Sequence, residues 1–173
     1  METKKNKIVS AQEKSYPMKN VIIEKSIESL KKEGLKFSVD DLAAQLAISK
    51  KTVYKYFPDK ESLAFAIYEK YYAQACKEVE NIVNNSNNIR FDLLKLYFDS
   101  KVMTRADIFN KYALNRSVST FAKQKESELW NCICPYFSEC DDVAKIIVDG
   151  AFEKLLSVDI DCKKVIRRLV SLW

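Results

Sequence analysis

The chain has 173 residues, 47% hydrophobic and 31% charged, enough apolar material for a sizeable core and enough charge to keep it in solution. With 2 glycines and 3 prolines it lacks the turn formers of sandwiches and barrels, and it lacks the glycine clusters that let a backbone approach phosphate in Rossmann and P-loop sites. The formal charge is +5, and histidine, the commonest general base and metal ligand, is absent, so neither an enzyme nor a cofactor is expected.

Residues 1–16 are polar and basic without a clear period and read as a flexible arm. Pro17 suits the first turn of a helix, where its missing N–H does no harm. Ile23, Ile27 and Leu30 then recur at helical spacing, and Gly34 ends a first helix over about 17–33. Ser38 caps the next helix, about 39–46, with Asp40 and Asp41 in its first turn, where the helix dipole favours anions. Val39, Leu42, Ala43 and Leu46 form its apolar face. Ala47 and Ile48 make a turn, and Ser49 caps a third helix from Lys50 to Tyr56, with Val53 and Phe57 inward.

Pro58-Asp59-Lys60-Glu61 breaks the chain and opens a long fourth helix to about residue 83. Asn84 to Asn88 form a loop. Further helices are expected at about 90–103, 106–118, 119–134, 141–157 and 160–172, with Pro135 interrupting the third of these. The fold class is therefore all-α: an N-terminal three-helix domain over 17–62 and a C-terminal helical bundle over 63–173.

Two short helices joined by a small turn, with Ala43 and Ala47 allowing close approach, make a helix-turn-helix. Its outward residues are Lys50, Lys51, Thr52, Lys55 and Tyr56. The charge excess supports a polyanion partner, because residues 1–70 hold fourteen cationic side chains against ten carboxylates, whereas the rest of the chain is nearly balanced.

Residues 38–63 read SVDDLAAQLAISKKTVYKYFPDKESL. This resembles the TetR/AcrR DNA-binding signature, with its T/S-v-x-x-I-A opening, A-G-V-S turn, t-l-Y-x-x-F recognition helix and P-x-K-e-x-L start to the following helix. The spacing agrees from Ala43 through Ser49, Thr52, Tyr54, Phe57 and Lys60 to Leu63, and the resemblance covers about residues 17–70. Ala47 stands where the family usually has glycine, Lys51 where glycine is frequent, and the Gly34–Ser38 loop is one residue short.

The resemblance implies a homodimeric, cytoplasmic transcription regulator, most often a repressor, that leaves a palindromic double-stranded DNA operator when a small-molecule effector binds. By the same resemblance Thr52, Tyr54 and Lys60 contact phosphates. Lys50, Lys51 and Tyr56 reach bases or nearby backbone, and Lys55 contacts phosphate. A protein-interaction module without DNA reading is the alternative.

The C-terminal half carries no catalytic motif. Val143, Ile146, Ile147, Val148, Ala151, Leu155 and Leu156 form one apolar face, and Val165, Ile166, Leu169, Val170, Leu172 and Trp173 another, which suits a two-fold four-helix interface. Tyr97, Phe98, Phe109, Tyr112, Phe121, Trp130, Tyr136 and Phe137 read as core rather than as a defined pocket. The five cysteines show no disulfide framework, and reduced thiols are expected. Cys132, Cys134 and Cys140 invite a thiol-sensing alternative but lack the paired spacing of a structural zinc site, so no metal is expected. No apolar run is long enough for a membrane helix.

Overall fold

A computed structural model describes residues 17–31, 38–105, 116–137, 142–158 and 161–172, and every regular element among them is helical. In chain order these are α1 (residues 17–31), α2 (Val39–Gln45), α3 (Lys50–Tyr56), α4 (Lys60–Asn85), α5 (Ile89–Arg105), α6 (Arg116–Ile133), α7 (Asp142–Ser157) and α8 (Cys162–Val170). A 3₁₀ turn, Cys134–Tyr136, follows α6 and carries the expected interruption at Pro135. The arm over 1–16, the Gly34 cap, Phe109, Tyr112, Cys140, Trp173 and most of the helix expected at 106–118 lie outside the described residues.

The break expected between residues 118 and 119 does not occur, because α6 runs through it. The Thr120 hydroxyl donates back to the Arg116 carbonyl at 2.9 Å, a bond made inside a helix rather than a cap opening a new one.

The described residues group into two compact units. One holds the described residues through Tyr71 together with 116–121. Ile22, Leu42, Val53, Leu63, Ala64 and Ile67 form the dry centre of its core. The two buried serines of α1 are satisfied: the Ser26 hydroxyl donates to the Ile22 carbonyl at 2.7 Å, and that of Ser29 to Gln45 Oε1 at 3.2 Å. Phe65 and Phe121 meet edge to face at 5.0 Å between ring centroids.

The other unit holds 72–105 and the described residues from Ala122 onward. Leu93, Leu94, Tyr97, Leu129, Ile133, Val148 and Ile166 are fully buried there. Tyr97 leans on Trp130 and Phe98 on Phe152, with centroids 5.0 and 5.3 Å apart, so these aromatics are core. Tyr136 is largely exposed.

Within this apolar centre sits an ionic cluster. Lys101 Nζ is 2.9 Å from Glu126 Oε1 and 2.9 Å from Asp149 Oδ1. Asp149 also accepts from the Tyr97 hydroxyl at 3.1 Å and from Lys145 at 2.7 Å. The cluster ties α5, α6 and α7 together, and burial first, then the two nearby carboxylates, drive the Tyr97 phenol far above its ordinary range.

The apolar face expected on α7 is divided. Val148 and Phe152 are buried, whereas Val143, Ile146 and Ile147 are 58%, 69% and 42% exposed and form an open stripe. Gly150 continues that stripe one turn on, and among the described residues a Cβ built there would have nothing within 4 Å.

Cysteine usage departs from expectation at one position. Cys76, Cys132 and Cys162 are free thiols, but Cys134 is disulfide-bonded, so uniformly reduced cysteines do not describe this chain. Among the described residues no helix is long and apolar enough to cross a membrane.

Candidate nucleic-acid interface

Helix α3 is short, and its start is set by one side chain. Ser49 Oγ accepts from the Thr52 N–H at 3.0 Å, satisfying a donor that the first turn leaves open. The same hydroxyl lies 2.8 Å from Thr52 Oγ1. Ser38 does the same for α2, accepting from the Asp41 N–H at 3.0 Å.

Between these caps the chain reverses through a Schellman turn. The Ile48 N–H donates to the Ala43 carbonyl at 3.0 Å and the Ala47 N–H to the Ala44 carbonyl at 3.1 Å. That pairing requires a left-handed residue, and Ala47 supplies it with φ 52°. Ala43 is buried, as close packing requires, but Ala47 is exposed, so it does not serve close helix approach, and its Cβ is a cost in the left-handed region.

Val53 and Phe57 are buried on one side of α3. At roughly 3.6 residues per turn, Lys51 and Lys55 fall on the opposite side, with Thr52 and Tyr54 flanking them. Ser49, Lys51, Thr52, Tyr54 and Lys55 line an open depression of about 480 Å³. Lys50 and Tyr56 sit nearer the buried side. Lys50 is exposed but held: its Nζ donates to Asp40 Oδ2 at 2.8 Å, and that bond keeps the ammonium above its ordinary value.

Lys60 is the first residue of α4 and is exposed. The helix end beside it already has an anion. The Ser62 N–H donates to Asp59 Oδ1 at 2.7 Å, and the Asp59 N–H donates to Ser62 Oγ at 3.4 Å. Donation from the Ser62 backbone, then from its hydroxyl, keeps the Asp59 carboxyl below its ordinary value. Asp40 was legible only as a first-turn anion, and its pairing with Lys50 has no local signal because the two residues are ten apart.

Two short capped helices crossing a tight turn, one with a cationic outer face, define a helix-turn-helix domain. Residues 22–67 match the family model described as bacterial regulatory proteins, tetR family. The chain is 34% identical over 70 residues to a Bacillus subtilis protein called uncharacterized HTH-type transcriptional regulator YvaF, covering 39% of this chain and 36% of that one. It is 35% identical over 49 residues to an uncharacterized HTH-type transcriptional regulator of Mycobacterium tuberculosis, covering 28% of this chain and 21% of that one. The matched region thus spans about a third or less of these relatives. No solved structure matches. Residues 22–67 are thus similar to the DNA-binding domain of TetR-family regulators.

Proposed function

We propose that the chain is a DNA-binding transcriptional regulator that reads a palindromic operator through α3 as a homodimer. In this reading residues 17–62 bind DNA and 63–173 sense a small molecule and dimerise in the cytoplasm, and the effector releases a repressor from its operator. The observation that carries the DNA-binding part is the outer face of α3, where Lys51 and Lys55 flank a depression also lined by Thr52 and Tyr54. Such a face supplies both cations for phosphate and polar groups for base edges. Thr52, Tyr54, Lys55 and Lys60 contact phosphates, and Lys50, Lys51 and Tyr56 reach bases or adjoining backbone. The exposed stripe Val143, Ile146 and Ile147 supports the dimer, because a second copy would remove it from water. In the DNA-competent dimer the two α3 helices lie one helical turn of DNA apart, roughly 34–36 Å.

The test is binding to DNA from upstream of the protein's own gene across a salt series, beside a Tyr54→Ala/Lys60→Ala variant. Tight binding that weakens steeply with salt and is lost in the variant is expected. If random-sequence selection recovers no preferred site, and what binding exists is unchanged in the variant, the DNA-reading proposal fails.

A further inference from the structure

Cys76 on α4 and Cys132 on α6 are far apart in the sequence, yet their sulfurs lie 3.5 Å apart. Both are free thiols, Cys132 exposed and Cys76 half-buried. A disulfide sulfur pair sits at about 2.05 Å, so closure needs an approach of only about 1.5 Å. We propose that Cys76 and Cys132 form an oxidisable dithiol that reacts with hydrogen peroxide and closes to a disulfide between α4 and α6. The pair shares no residue with the outer face of α3 and needs neither DNA nor the proposed effector.

The two sulfurs have different parts. Cys132 is the more exposed of the two, so its thiolate attacks the peroxide first. A sulfur–oxygen bond forms, the oxygen–oxygen bond breaks, and the departing hydroxide takes a proton to leave as water. Cys132 is then a sulfenic acid. Burial first, and then the hydrogen bond with Cys132, push the Cys76 thiol up to about 12, which suits a resolving group rather than a first nucleophile. Cys76 attacks the Cys132 sulfur, the sulfur–sulfur bond forms, the sulfur–oxygen bond breaks, and the Cys76 proton leaves with the second water. Two thiols and one hydrogen peroxide give one disulfide and two waters, the sulfurs losing the two electrons that the peroxide gains. Fixed proximity makes the second step fast despite the high thiol pKa. Glu128 and Lys125, paired with each other at 2.9 Å, act on Cys76 in opposite senses and offset each other there.

The experiment uses the full chain as isolated, with Cys76 and Cys132 verified as thiols, freed of reductant and treated with hydrogen peroxide. Intact mass, non-reducing peptide mapping and dimedone trapping are the readouts. The expected result is an intramolecular link between the Cys76 and Cys132 peptides, reversed by dithiothreitol. Cys76→Ser should leave a dimedone-reactive sulfenic acid on Cys132, and Cys132→Ser should lose the link. The wild-type map decides alone if a variant fails to fold. Cys132 linked to Cys134 or Cys140, linked between chains, or driven to sulfinic acid while Cys76 stays a thiol, overturns the proposal.

Discussion

Lys50 Nζ lies 2.8 Å from Asp40 Oδ2, so the first cation of α3 holds a carboxylate of α2 before any nucleic acid arrives. Both side chains are solvent-exposed, and such a bond exchanges readily for a phosphate contact. If Lys50 contacts DNA as proposed, that contact is an ion exchange within the protein as well as a release of counterions from DNA.

Asp40→Asn should free Lys50 and remove one negative charge beside the interface. We expect tighter DNA binding and a slope of log affinity against log salt that steepens by about one charge. Fluorescence anisotropy across a salt series measures both. Weaker binding in this variant would mean that Asp40 orients Lys50 rather than competing for it.

Ala47→Gly should stabilise the protein. Alanine in the left-handed region costs about 1–2 kcal/mol, and glycine avoids that cost while losing about 0.5–1 kcal/mol through a freer unfolded chain. A net gain of about 0.5–1 kcal/mol in urea unfolding is expected, with DNA affinity unchanged. A loss of stability would show that the turn does not strain alanine.

How much was legible can be judged at these same positions. Ser38 and Ser49 marked the starts of α2 and α3 correctly because a cap is a local device: the hydroxyl bonds an N–H three residues on. Ala47 was recognised as departing from the glycine usual there, but its positive φ emerges only when the turn's two hydrogen bonds are seen. The Cys76–Cys132 pair and the Lys101–Glu126–Asp149 cluster left no trace in the pattern, since helical periodicity says which face is apolar but not which distant helix meets it. Lys101 and Glu126 even run against the pattern, being charged residues that end up buried.

Lys101→Met should destabilise by about 3 kcal/mol, because it strands the buried Glu126 carboxylate and removes one of the cations that hold Asp149. Urea unfolding followed by far-UV circular dichroism measures this. A cost near zero would show that the methionine's apolar fit offsets the lost pair.

Asp149 gives a pH dependence of defined sign. Burial raises its pKa, but hydrogen bonds from Lys145 and Lys101 outweigh burial and hold it below the ordinary 3.8. Its contribution to stability is therefore fully present above the unfolded value and is lost as pH falls from there through the lower folded value. Asp149→Asn should be less stable at neutral pH and should show a flatter decline with acid below 3.8. Parallel acid limbs for the two proteins would contradict this.

Gly150 stands within a helix, where glycine weakens the structure by roughly 0.5–1 kcal/mol relative to alanine, and the described residues offer no neighbour that would object to a methyl group. If the stripe of Val143, Ile146 and Ile147 meets its symmetry mate, Gly150 lets the two backbones approach, and one added methyl on each would hold them apart. Gly150→Ala would then act with opposite signs on two equilibria. The dilute monomer should melt at a higher temperature, while sedimentation should show weaker self-association. A rise in melting temperature with association untouched would place the dimer contact elsewhere on the protein.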